Sequence, residues 1–364
     1  MNKAIKTAVL ILVVVVAAAV AFLTLYSTRI QTIGSMERLT DYEDGYNLYS
    51  MDIKYDYSID DIIDSGITDD QAMFDAIVKE ALPLLPVKAD VPNFGCTAFT
   101  LSDTDGDVHM GRNYDFMNDT SAMLVYCSPK DGYKSVAIAA LDNVSANAAD
   151  ENIAKKLASL SAPFVCLDGM NEKGVSIAVL TLDSEPVRQN TGKPVISTTL
   201  AIRLVLDRAA TTEEAVELLR GYDMYAVCGR DYHFYITDAS GDGRVVEYYD
   251  CDSETRELVA TSTRAATNFF IRYKDEVLPN QKNGIYGHGK ERYETVLKVL
   301  EDEKGNYTDD TVWNAIKLAA QEPNPDEITS NTQWSVSYNN TDLTGEIVIH
   351  RNWEDVTSFT LENE

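Results

Sequence analysis

Cys96, Cys127, Cys166, Cys228 and Cys251 are the residues of this chain best suited to nucleophilic chemistry, and the useful question is which of them has a base beside it. A thiol attacks as thiolate, so its proton needs an acceptor. A papain-like site would supply a histidine and its own local sequence around the cysteine, and none of the five has that context. An N-terminal thiol needs no histidine, because its own α-amine, with a pKa of about 7.7–8.0, accepts the proton. That solution requires a cut immediately before the nucleophile. Gly95-Cys96 fits: a small residue precedes a thiol at a strand start, and Pro83, Pro86 and Pro92 mark an extended approach through Asn93 and Phe94. Cys96 is thus the expected nucleophile; its plain alternative is a buried strand cysteine.

An odd number of cysteines leaves at least one unpaired, and with no C-x-x-C spacing the other four read as small buried hydrophobes. Metal chemistry has little support. His109, His233, His288 and His350 form no i,i+4 pair, and the run Asp103-Thr104-Asp105-Gly106-Asp107 lacks the remaining ligands of a calcium loop and reads as a hairpin turn. No metal or organic cofactor is expected.

The elements that must position the thiol are mostly paired strands. Thr97 to Leu101 and Val108 to Tyr114 flank the acidic turn, Tyr232 to Thr237 and Val245 to Tyr249 flank a second, and Trp334 to Tyr338 with Gly345 to His350 form a third hairpin. Ser121 to Tyr126, Ser135 to Leu141, Pro163 to Leu167 and Val175 to Leu180 read as further strands, the sheet content being antiparallel. Helical spacing marks Thr198 to Ala209, Thr212 to Leu219 before Gly221, Glu291 to Leu300 and Asp309 to Ala320. Hairpins broken by helix pairs imply an α+β fold with helices layered on sheets.

Ahead of this region, Ala8 to Tyr26 is an uncharged apolar run between Lys3 and Lys6 on one side and Arg29 on the other. At a rise of ~1.5 Å per residue it extends roughly 28 Å, close to the hydrocarbon thickness of a bilayer. It is read as a single-pass anchor in the cell membrane, with a short cytoplasmic tail and the rest extracytoplasmic. The alternative is a signal cleaved at the small residues Ala17, Ala19 and Ala21, which would secrete the chain. Residues 1–30 are then the anchor and residues 31–95 a linker and helical prosegment, in which Thr68 with Gln71 forms a capping-box pattern and Met73, Phe74, Ile77, Val78, Ala81 and Leu82 recur until Pro83. With 31 Lys+Arg against 58 Asp+Glu, a formal charge of −27 argues against a nucleic-acid partner. The composition leaves the oligomeric state open.

Cys96-Thr97 followed by His109-Met110-Gly111-Arg112-Asn113-Tyr114-Asp115-Phe116 resembles the opening of choloylglycine hydrolases and penicillin V acylases, whose nucleophilic cysteine precedes a G-R-N-x-D motif. Arg112 lies 16 residues after Cys96 and Asp115 lies 19 after, which matches that spacing. Gly169 to Gly174, Tyr232-His233-Phe234, Thr267-Asn268 and Glu291-Arg292-Tyr293 extend the likeness in order, so that it covers roughly Cys96 to Trp353. An internal cysteine after a helical prosegment is more similar to the acid ceramidase and N-acylethanolamine amidase branch, or to bacterial linear amide hydrolases.

The resemblance implies an N-terminal-nucleophile hydrolase with an αββα sandwich of antiparallel sheets in residues 96–364, acting on small-molecule N-acyl amides. By the same resemblance Cys96 is the nucleophile, Arg112 stabilises its thiolate, Asp115 orients the freed α-amine, Asn268 donates to the oxyanion and Arg292 points into the site. Where the bile-salt and penicillin branches carry a second oxyanion asparagine, this chain aligns Thr181. Acyl transfer to an amine, or a non-catalytic membrane-tethered binding protein on the same scaffold, are the alternative functions.

Overall fold

Alternating apolar residues pair the strands into two sheets that face one another, with helices on both outer sides. The computed structural model describes residues 3–84, 95–249, 256–280, 289–327 and 329–361. Its strands are β1 (Glu37–Arg38), β2 (Leu48–Asp52), β3 (Gly95–Ser102), β4 (Val108–Asp115), β5 (Ala122–Cys127), β6 (Ser135–Ala140), β7 (Cys166–Asn171), β8 (Ser176–Leu182), β9 (Val195–Ser197), β10 (Asp223–Tyr225), β11 (Asp231–Thr237), β12 (Arg244–Tyr249), β13 (Glu257–Ser262), β14 (Ala265–Ala266), β15 (Thr332–Asn339), β16 (Thr344–Ile349) and β17 (Thr357–Thr360). The helices are α1 (Lys3–Gly34), α2 (Ile59–Asp64), α3 (Asp70–Ala81), α4 (Ile153–Ala158), α5 (Thr198–Arg208), α6 (Thr212–Arg220), α7 (Lys274–Asn280), α8 (Gly289–Asp302) and α9 (Asp309–Ala319).

Among the described residues, one sheet has nine strands in the order β1-β2-β5-β6-β7-β8-β11-β12-β13, and the other has six in the order β14-β3-β4-β15-β16-β17. Helix α5 packs on β7 and β8 of the large sheet, α8 and α9 pack on β3 and β4 of the small one, and β3 meets β8 across the interface. This is the αββα layering. Buried side chains of both sheets form one continuous core, as expected for strands covered on both faces.

Among the described residues, pairing is antiparallel except at two places, β2 with β5 and β9 with β10. The first shows what lies in residues 31–95, expected to hold a linker and one helix: β1, β2 and α2 are there as well, and β2 is a strand of the large sheet. Its short run, Leu48-Tyr49-Ser50-Met51-Asp52, carries too little alternation to stand out in the sequence.

Two local readings change for clear reasons. The helix after Thr68 is capped by Asp69, whose side chain accepts from the Ala72 N–H, because a carboxylate one residue closer reaches the first turn. The strand expected from Pro163 to Leu167 is a 3₁₀ turn through Phe164, and β7 starts at Cys166; Pro163 has no N–H to give a ladder. The extended approach through Pro86, Pro92, Asn93 and Phe94, and both Cys251 and His288, lie outside the described residues.

Helix α1 is longer than the apolar run. Its span Val9–Gly34 is long and apolar enough to cross a membrane, and Leu10 to Val16 are exposed. From Tyr26 onward the helix is docked on the domain. Arg29, read from sequence as the basic flank of the span, is buried: its Nε donates to the Ala81 carbonyl at 2.7 Å and its Nη2 to the Glu80 carbonyl at 2.7 Å. It thus satisfies the C-terminal carbonyls of α3, with its charge at the negative end of that helix. Its guanidinium also lies 4.8 Å from the centre of the Tyr55 ring.

Candidate active site

Cys96 is the second residue of β3, paired with Tyr114, while Gly95 pairs with Asp115 at the end of β4. Directly opposed residues share a sheet face and successive residues alternate. Cys96, Arg112 and Tyr114 therefore face the large sheet, whereas Thr97, Asn113 and Asp115 face the helix layer. The contacts agree: Asn113 Nδ2 donates to the Ile316 carbonyl on α9, and Arg292 on α8 reaches Thr97 Oγ1 and, at 3.3 Å, Asp115 Oδ2. Gly111 is needed between them because a Cβ there would collide with the Phe99 ring on the paired strand.

On the inner face, the Arg112 guanidinium lies against the Cys96 thiol and is itself held by Asp168 of β7, Nε to Oδ2 at 3.1 Å. Asp168 also accepts from Tyr338 Oη at 2.5 Å and Trp334 Nε1 at 3.2 Å. All of these side chains are fully buried. Burial pushes the Cys96 thiol up to about 11, with the Arg112 charge pulling the other way. Before any cleavage, the thiol is accordingly protonated at neutral pH.

The backbone of Cys96 is gripped from the other side. Its N–H donates to Asn268 Oδ1 at 3.2 Å and its carbonyl accepts from Arg292 Nη1 at 2.7 Å. Arg292 Nη2 also donates to Asn268 Oδ1 at 2.5 Å, so one guanidinium links the cysteine, the asparagine and Asp115. Burial works against the charge on Arg292, and Asp115 counters it. Burial likewise raises the Asp115 carboxyl, opposed by Arg292 and by a 2.6 Å hydrogen bond from Thr332 Oγ1.

Asn268 follows the short edge strand β14, and its Nδ2 donates to the Thr181 carbonyl at 2.7 Å. Thr181 thus enters the cluster through its backbone, and its buried Oγ1 has no hydrogen-bond partner among the described residues. Cys96, Arg112, Asp115, Asn268, Arg292 and Thr181 all come together. Sequence reading missed Asp168 and Thr332. A lone carboxylate inside the apolar run Phe164-Val165-Cys166-Leu167-Asp168 was the available signal for the first; nothing local marks the second.

His109 lies at the far end of β4 from Asp115 and takes no part. The Asp103 to Asp107 run is a hairpin turn, closed by Asp103 N–H on the Asp107 carbonyl at 2.8 Å. The fold does bring Asp103, His109 and Asp309 ligand atoms within 4.8 Å of one another, a grouping that could hold a cation. The described cysteines, Cys96, Cys127, Cys166 and Cys228, are free thiols.

Residues 96–253 match the family of linear amide C–N hydrolases, choloylglycine hydrolase family. Among solved structures, a mutant conjugated bile acid hydrolase from Clostridium perfringens superposes with a TM-score of 0.53 at 16% identity, covering 74% of this chain and 93% of that one. Penicillin V acylase from Agrobacterium tumefaciens gives a TM-score of 0.53 at 19% identity, covering 73% and 86%. No curated protein matches the sequence. At those identities the structures speak for the fold, and the family match begins at Cys96. Residues 96–253 of this chain are thus similar to the linear amide C–N hydrolases of the choloylglycine hydrolase family, and the chain shares the fold of conjugated bile acid hydrolase and penicillin V acylase.

Proposed function

We propose that this protein is a cysteine N-terminal-nucleophile amidohydrolase, activated by cleavage at Gly95–Cys96 and tethered to a membrane by α1. The observation that carries this reading is the grip on Cys96: a thiol beside Arg112, with its backbone N–H on Asn268 and its carbonyl on Arg292. The short strand β14 pairs β3 only at Ala98 and Phe99, so side chains rather than a strand satisfy the Cys96 amide groups, and they bring an amide and a guanidinium next to the thiol. The cut would free the α-amine of Cys96 one residue along from the Gly95 position that pairs with Asp115, whose carboxylate is suited to hold and orient an ammonium.

In the reaction, the α-amine takes the thiol proton and the sulfur attacks the amide carbonyl carbon. The oxyanion forms against the second N–H of Asn268 Nδ2 and the Thr181 hydroxyl, whose missing partner leaves it free to donate. Collapse expels the amine, which leaves with the proton held by the α-ammonium. Water then adds to the thioester, giving its proton back to the α-amine and releasing the acid and the thiol. Arg112 balances the thiolate throughout, and Asp168 fixes Arg112.

The test is the full chain in detergent, analysed by intact mass and by amine release from a panel of N-acyl amides that includes a conjugated bile acid, penicillin V and fatty-acyl amides. Fragments 1–95 and 96–364 should appear and copurify, since β2 belongs to the large sheet. An uncut chain with full activity, or an active Cys96→Ala chain, overturns the reading.

A further inference from the structure

The sandwich holds a buried histidine–glutamate pair that catalysis as described does not use. His233 on β11 and Glu247 on β12 are both fully buried cross-strand neighbours, with His233 Nδ1 and Glu247 Oε1 3.0 Å apart. Two ionisable side chains without access to water are costly unless each polar atom is satisfied. Here all of them are, and every remaining bond goes to one loop. His233 Nε2 lies 2.9 Å from the Thr267 carbonyl, Glu247 Oε1 accepts from the Ile271 N–H at 2.7 Å, and Glu247 Oε2 accepts from the Arg272 N–H at 3.1 Å.

The hydrogens follow from the acceptors. A carbonyl only accepts, so Nε2 is the donor to Thr267, and Nδ1 and Oε1 share the hydrogen bond between the two side chains. The pair is thus a closed clamp on both ends of the segment 267–272. Inside that segment sits Asn268, whose two amide atoms face the Cys96 N–H and the Thr181 carbonyl. Thr267 Oγ1 extends the same hold to the Gly289 carbonyl at 2.6 Å, at the start of the helix that carries Arg292.

We propose that His233 and Glu247 are positioning residues for amide hydrolysis: together they fix the loop that aims Asn268 at the carbonyl oxygen of an N-acyl amide. This rests on the reading of Asn268 given above. A side-chain amide on a loop needs such support, because an oxyanion donor displaced by 1 Å loses much of its effect.

Two measurements on the full chain test it. In the first, amide hydrogen exchange is followed by mass spectrometry in His233→Gln and Glu247→Gln. Exchange across 267–272 should rise at least tenfold while β8 keeps the parental rate; parental exchange in 267–272 overturns the clamp, whatever the catalytic role of Asn268. In the second, an N-acyl 4-nitroanilide is the chromogenic probe. Both variants should lower kcat about tenfold with KM within twofold, and His233→Gln added to Asn268→Ala should cost nothing further. A purely structural role would move stability and leave the two substitutions additive, which overturns the proposal. If His233→Gln does not fold, Glu247→Gln, which keeps the size and one acceptor oxygen, carries both measurements. An Asn268→Ala chain with parental kcat removes Asn268 from the mechanism, and the exchange result still decides the clamp.

Discussion

Arg112 and Asp115 stand three residues apart on one strand and point through opposite faces of the small sheet, Arg112 to Asp168 across the sandwich and Asp115 to Arg292 in the helix layer. Strand alternation makes this split unavoidable for an odd separation. It places one cation at the thiol and one carboxylate on the guanidinium that holds the backbone carbonyl of the same cysteine.

The cysteines separate by role. Cys96→Ala should abolish both the cut at Gly95–Cys96 and hydrolysis, read by intact mass and amine release. Cys127→Ala and Cys166→Ala, each removing a buried thiol, should retain activity and lower stability by roughly 1 kcal/mol from the small cavity. A folded but dead Cys127→Ala chain would relocate the nucleophile.

Asp168→Ala should strand Arg112 as an uncompensated buried charge. The expected loss is about 3–5 kcal/mol of stability, measured as a shift in urea midpoint. Asp168→Asn keeps the shape and should lose less stability than alanine.

Cys127 gives a pH signature free of the active site. Burial pushes its thiol from 9.0 to about 11, with Arg203 opposing. Below the lower value both folded and unfolded chains hold the proton; between the two only the folded chain does, so stability falls as pH rises through that window. The slope attributable to this group is about 1.4 kcal/mol per pH unit, obtained as the difference between parent and Cys127→Ala urea midpoints at pH 8, 9 and 10. Parallel curves would show that the thiol is not shielded as the structure has it.

Docking of α1 sets where its apolar part can be removed. A chain beginning at residue 25 keeps Tyr26 and Arg29 and should be soluble, stable and active. One beginning at residue 31 loses the bonds to the Glu80 and Ala81 carbonyls and should melt several degrees lower, as should Arg29→Ala, at a cost of roughly 1–3 kcal/mol. Equal melting temperatures for the two truncations would mean that the docked end of α1 contributes nothing.

Asn268→Ala should lower kcat by about two to three powers of ten with KM little changed, since the lost donor acts when charge develops on oxygen. The asparagine also holds the Cys96 nitrogen, so slower cleavage at Gly95–Cys96 should accompany the loss. Steady-state rates and a time course of fragment formation check both.

The hairpins, helices α5, α6, α8 and α9 and the apolar helix were legible in the sequence because period-2 and period-3.6 spacing and turn residues are local properties, whereas the short α4 and α7 were not. So were Cys96, Arg112 and Asp115, whose separations along one hairpin fix their relative placement through strand pairing alone. What the tertiary structure decided involves partners far apart in the chain. Asp168 against Arg112, Thr332 against Asp115, His233 and Glu247 against the Asn268 loop, and Arg29 on the end of α3 are each joined by packing between elements, with no signal in spacing. The parallel strand β2 belongs here too, since a five-residue run acquires its register only from the edge it pairs with. Local spacing thus marked Cys96, Arg112 and Asp115 as one cluster, and long-range burial, where every charge must find its counterpart, chose the residues that hold them.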